Sequence, residues 1–133
     1  MKVQIEYRVP YADTDQMGVI YYGNYFTLFE RVRNEWLREI GIPYTVFEAN
    51  GVMLPVTESF CKYTQPAFFD DLLTLTATVT EWSRVSVVLE CEILRDGVLL
   101  AKGYTKHACM SSETRRISRF PDFILDRIKE TMG

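Results

Sequence analysis

The sequence predicts an α+β fold in which about five antiparallel strands curl around one long helix. Three observations carry this expectation. Apolar residues recur at steps of three and four from Tyr25 to Ile40, the period of a helix with one buried face. Leu73, Leu75, Ala77 and Val79 alternate with Thr74, Thr76, Thr78 and Thr80, the period of a half-buried strand. Arg95-Asp96-Gly97 separates two further strand-like runs with a pair of residues suited to a tight hairpin.

Lys2 to Val9 alternates polar and apolar and reads as a first strand broken by Pro10. The long helix follows from near Tyr25 to Ile40, with Asn24 as its N-cap and Gly41 and Pro43 ending it. Its apolar positions are Tyr25, Leu28, Phe29, Val32, Trp36, Leu37 and Ile40, while the charged residues lie mostly elsewhere. A short helical turn is expected at Tyr44 to Ala49, closed by Asn50-Gly51. Val56 to Tyr63 reads as a strand ending before Pro66. The threonine-rich strand comes next, followed by Val85 to Leu94. After the Asp96-Gly97 turn, for which a type I′ geometry suits both residues, Val98 to Met110 returns. Pro121 opens a short amphipathic helix whose Phe123, Ile124 and Ile128 are expected to cover an edge. No repeat, linker or low-complexity tract interrupts the chain, so residues 1–133 read as a single domain.

Hydrophobic residues at 47% and aromatics at 14% supply a core, with enough apolar surface left for a buried partner face. With 15 basic and 18 acidic side chains the net charge is −3, which favours neither nucleic acid nor an anionic membrane. The amino terminus has no long apolar run and no cleavage signal, so the expected location is the cytoplasm. Cys61, Cys91 and Cys109 lack the spacing of a zinc or redox motif and read as reduced core residues. A single histidine, His107, leaves little room for a histidine-based metal site, and neither metal nor cofactor is expected. A lone imidazole far from any motif reads as structural.

The stretch YADTDQMGVIYYGNY, Tyr11 to Tyr25, sets two aspartates on a turn ahead of the long helix. Unpaired amides at a helix start carry about half a positive charge and polarise a carbonyl, and a nearby carboxylate supplies a base or nucleophile. By spacing alone, Asp13 and Asp15 read first as turn formers whose side chains cap nearby amides.

The pattern D-x-D-x-x-G-x-x-Y-x-x-N-Y, with FERVRNEWLREIG behind it and YTQPAFFDDLLTL at Tyr63 to Leu75, resembles the YbgC and 4-hydroxybenzoyl-CoA thioesterase family over nearly the whole chain. The resemblance implies a hotdog fold and hydrolysis of acyl-CoA thioesters. It also implies a dimer whose two sheets join with the helices inside and whose sites lie at the subunit boundary; dimers of this family often pair into tetramers. It assigns the catalytic carboxylate to Asp15 and leaves Asp13 on a variable position. The amide of Tyr22 matches the family's contact to the thioester oxygen, with those of Gly23 and Asn24 beside it. Tyr22 stands where many YbgC-type members carry histidine, so a helper imidazole is excluded here while the amide role survives.

Lys62, Arg84, Lys102, Lys106, Arg115, Arg116 and Arg119 form the pool for coenzyme A phosphates, none assigned. Glu30 and Glu58 are weaker acid candidates, Glu30 being expected to contact Arg33 or Asn34. Phe26, Phe60 and Phe68 either limit an acyl pocket or fill core. Besides a thioesterase acting on acyl-CoA or an acylated carrier protein, a dehydratase and a non-catalytic acyl-binding protein are the alternatives. The lack of a histidine ahead of the long helix counts against the dehydratase.

Overall fold

The computed structural model describes residues 1–132. Seven strands and three helices occur among them: β1 (Lys2–Arg8), α1 (Asn24–Glu39), α2 (Tyr44–Ala49), β2 (Val52–Met53), β3 (Val56–Tyr63), β4 (Leu72–Trp82), β5 (Ser86–Arg95), β6 (Val98–Ala108), β7 (Met110–Ser111) and α3 (Asp122–Glu130), with a single 3₁₀ turn at Tyr11–Asp13. Five strands form one antiparallel sheet in the order β1-β4-β5-β6-β3, and β2 pairs with β7 in a separate two-stranded ribbon.

α1 packs principally on β1, β4 and β5. The face it presents is the apolar stripe of the sequence: Tyr25, Leu28, Phe29, Val32, Trp36, Leu37 and Ile40 are all buried. They meet Leu73, Leu75, Ala77 and Val79 of β4 and Val87, Leu89, Cys91 and Ile93 of β5 in one hydrophobic cluster. The alternation in these strands follows from the pleat, which sends every second side chain toward the helix. The outer face carries polar pairs instead, among them Lys2–Glu92 and Lys102–Glu90. At the hairpin between β5 and β6, Asp96 and Gly97 have φ of 51° and 79°, the two positive values a type I′ turn needs.

The two edges of the sheet differ. β1 shows the solvent Lys2, Gln4, Glu6 and Arg8, whereas every residue of β3 except half-buried Cys61 is exposed, Phe60 at 51% and Tyr63 at 42% among them. β3 is held to β6 at close range by Gly103, where an added Cβ would lie 1.9 Å from the carbonyl oxygen of Phe60.

Several expectations need correction. Asn24 is the first residue of α1 rather than its cap; Gly23 takes the cap position without a side-chain hydrogen bond. The Asn24 amide group donates to Asp13 O (3.0 Å), so its side chain ties the helix to the preceding loop. The last long strand breaks at Cys109, and Met110–Ser111 turns away to pair with Val52–Met53. Phe123 is exposed, and Ile124, Leu125 and Ile128 form the buried face of α3.

Candidate active site

Asp13 to Asp15 and Val19 to Tyr21 run antiparallel as a small ladder. Asp15 N donates to Val19 O (2.9 Å), Tyr21 N donates to Asp13 O (3.0 Å), and Thr14 bridges Ile20. Gly18, at φ 79°, turns the chain between them, a conformation in which a side chain is strained. Ile20 N donates to Ala67 O (2.9 Å) and Val19 bridges Phe68, so the ladder is stitched to the connection between β3 and β4. That connection is braced in turn: Asp71 accepts from Phe68 N (2.8 Å) and pairs with Arg95 at 2.6 Å. The Asp-Asp passage of the sequence is therefore a structural clamp beside the ladder.

The two aspartates of the motif differ in their attachments. Asp13 accepts from the Tyr7 hydroxyl and, through its carbonyl, from Asn24 and Tyr21. That hydroxyl is pushed up to about 12 by burial and then by the Asp13 hydrogen bond and charge. Asp15 is half-buried; its Oδ1 accepts from Met17 N (2.8 Å) in an Asx turn, while Oδ2 has no hydrogen-bond partner among the described residues.

The amides at the start of α1 divide in the same way. Asn24 N donates to Tyr21 O (2.9 Å) and Tyr25 N to Tyr22 O (3.3 Å). The amides of Tyr22 and Gly23 find no acceptor among the described residues. Of the three donors named from the sequence, Tyr22 and Gly23 are thus free and Asn24 is already engaged.

A cavity of about 280 Å³ beside the helix start is lined by Val19, Ile20, Tyr22, Tyr25, Tyr63 and Pro66 with Thr64 and Gln65; Asp15 and Gly23 are not among its walls. Tyr63 meets Tyr25 edge-on at 4.9 Å and Tyr22 at 6.4 Å, and its hydroxyl donates to Tyr22 O (2.9 Å). In the sequence Tyr63 stands out only as part of a motif, because nothing in the spacing shows that a strand forty residues later returns to the helix start.

The other candidates lie elsewhere. His107 is 1% exposed; its Nδ1 lies 3.0 Å from Leu54 O and its Nε2 2.9 Å from Thr105 Oγ1. Burial pushes it down to about 4, the neutral form. Glu30 makes no hydrogen bond to Arg33 among the described residues, though its charge acts on that guanidinium, which donates to Thr105 Oγ1 (3.4 Å) and is held below its usual range by burial. Glu58 accepts from Tyr104 (2.7 Å) on the outer face. Phe26 packs on Phe29, Phe60 stacks on Tyr104 and Phe68 lies under Arg95, so none of the three lines the cavity. Of the cation pool, Lys102 pairs with Glu90, while Arg84 and Arg119 line a separate cavity with Lys129 at the β4–β5 end of the sheet. Cys91 and Cys109 are buried, with thiols raised to about 12 and about 11 by desolvation, and Cys61 is half-buried; all three are free. Among the described residues no cluster of three metal-ligating side chains occurs, and no helix is long and apolar enough to cross a membrane.

Residues 9–128 match the family model of the thioesterase-like superfamily. The acyl-CoA thioesterase YbgC of Haemophilus influenzae is 32% identical over 115 residues, covering 86% of this chain and 85% of that protein. A DHNA-CoA thioesterase from Staphylococcus aureus superposes with a TM-score of 0.92 at 31% identity, covering 98% of this chain and 91% of the other. A hypothetical protein from Thermus thermophilus does so at 0.92 and 33%, covering 98% of each chain. The five-stranded sheet, its long helix and the match along residues 9–128 together place this chain in the thioesterase-like superfamily, among the YbgC-like hotdog proteins.

Proposed function

We propose that the protein hydrolyses acyl-CoA thioesters, with Asp15 as base or nucleophile and the amides of Tyr22 and Gly23 as the electrophilic partner. The observation that supports this reading is a half-buried carboxylate, one of whose oxygens has no partner among the described residues, on the same short ladder that leads into a helix start where two N–H groups also lack acceptors. The family's thioesterases make the thioester the substrate class.

In the general-base route, water attacks the carbonyl carbon while Asp15 takes its proton. Charge builds on the carbonyl oxygen, and amide donors aimed at it are each worth roughly 10²–10³ in rate. The C–S bond then breaks and the thiolate takes a proton, giving a carboxylic acid and a free thiol. In the nucleophilic route Asp15 attacks first, and water opens the mixed anhydride. Both routes use the same groups. A thiolate leaves readily, its pKa being near the ~8.5 of cysteine, so no acid is needed behind the sulfur. The tyrosine-lined cavity lies where the acyl group enters in this reading, and Asn24, its amide engaged, holds the loop rather than the oxyanion.

The reading extends to a cytoplasmic homodimer joined along β3, since a long exposed edge bearing Phe60 and Tyr63 calls for a covering strand. The test is Asp15→Asn, which keeps an oxygen for the Met17 amide and so preserves the turn. Thiol release is measured across acyl-CoA and acyl-carrier-protein substrates. The expected loss in kcat is ~10²–10⁴-fold with an unchanged melting curve. Undiminished turnover in the variant sinks the reading. Ligand binding without any turnover in the parent protein points to a binding role instead.

A further inference from the structure

From the hydrogen bond between the Tyr63 hydroxyl and Tyr22 O, we infer that Tyr63 is a positioning residue for the reaction, holding the Tyr22–Gly23 peptide so that the Gly23 amide is aimed at the thioester oxygen. The inference rests on the thioesterase reading above and gives a role to a motif residue for which neither the motif nor the family match supplies one.

A peptide unit is planar and trans, so its C=O and N–H point in opposite directions and fixing one fixes the other. Tyr22 O belongs to the same unit as Gly23 N. That oxygen accepts from Tyr25 N at 3.3 Å, a long bond of the first turn, and from the Tyr63 hydroxyl at 2.9 Å. The hydroxyl is therefore the shorter of its two restraints, and it comes from outside the helix. Gly23, at φ −64° and ψ −25°, has a backbone conformation open to any residue, and a Cβ there would meet only the exposed Tyr21 ring, at 2.8 Å, so glycine is not what sets the orientation of this peptide.

Tyr63 is suited to give it. Its strand is fixed to β6, with Tyr63 opposite Ala101, and the next two amides, Thr64 N and Gln65 N, both donate to Leu100 O at 2.8 and 3.1 Å. The Thr64 hydroxyl adds bonds to Leu99 O and Leu100 O. The ring is held edge-on against buried Tyr25. Desolvation, followed by the neighbouring Cys61, raises the hydroxyl to about 12, so it remains a donor through the neutral range. A bond accepted at the carbonyl also polarises the peptide and strengthens its N–H as a donor.

The experiment compares wild type with Tyr63→Phe, which removes the hydroxyl alone, and with 3-fluorotyrosine placed at residue 63, which retains it. For Tyr63→Phe, kcat is expected to fall about 10-fold to 10²-fold, the scale of a misaimed group, with KM within about twofold. Fluorotyrosine is expected to restore kcat. In the Asp15→Asn background, where bound substrate persists, the infrared band of a ¹³C-labelled thioester carbonyl reads polarisation directly. Adding Tyr63→Phe should move that band back toward its position in water. An unchanged kcat, an unchanged carbonyl band, or a rise in KM alone overturns the inference. Should Tyr63→Phe not fold, the fluorotyrosine protein decides through its band: a stronger hydroxyl donor should shift it further from the water position, and no shift overturns the inference. Failure of the thioesterase reading is separate, showing as undiminished turnover in Asp15→Asn.

Discussion

His107 is buried with both ring nitrogens engaged, and the directions of its bonds fix its proton. Leu54 O only accepts, so Nδ1 carries the hydrogen and Nε2 accepts from the Thr105 hydroxyl, which itself accepts from Arg33. Desolvation, the largest cause, holds the ring down to about 4 against an ordinary 6.5. As pH falls from 6.5 toward 4 the unfolded chain binds a proton that the folded one refuses, so stability falls across that window and levels off below it. The loss is on the order of 3 kcal/mol at most. Urea titrations at pH 7 and 4.5 check this: the wild type should lose part of its stability, and His107→Gln, neutral at both values, should lack that component of the slope. The structural character of this histidine was legible from its isolation in the sequence. The division between free Tyr22 and Gly23 amides and the engaged Asn24 amide was not, because it depends on where Tyr21 O lies.

Strands that approach closely leave a mark in composition only when the reason is known. Gly103 sits between β3 and β5, opposite Cys61 and Cys91, and Gly103→Ala would set a methyl against the backbone of Phe60 and Cys61. The clash is with backbone rather than with a flexible side chain, so a cost of at least about 3 kcal/mol is expected, at the upper end of overpacking. Calorimetry measures it. Because β3 must move, Tyr63 should leave Tyr22, and thiol release from the surviving folded fraction should fall as well. The helix stripe and the threonine alternation were readable because each is a period imposed by one buried face. The β2–β7 ribbon escaped notice because its strands are two residues each, too short to show a period. The sequence does not separate Phe123 from Leu125 as the buried residue, because nine residues of helix admit more than one apolar stripe.

On the scale of the molecule, the contrast between a charged β1 edge and an exposed aromatic β3 edge predicts self-association. Sedimentation should give twice the 15.5 kDa of the chain or a multiple of that, and a species of single-chain mass at assay concentration contradicts the joined-sheet dimer. The fold class could be read from the sequence because it is the sum of local periods. The cavity could not, since its walls come from stretches forty residues apart that meet only once the sheet has closed.

The ladder of residues 13–21 has a consequence for how such a protein diversifies. The group proposed to act on the thioester and the free amides all come from residues 15–23, stitched together by their own backbone, while much of the cavity wall comes from residues 63–66. Under the proposed function, exchanging 64–66 for a segment of different bulk would recast which acyl groups are admitted while leaving the hairpin of residues 13–21 intact. Tyr63 is the seam at which such a transplant has to stop.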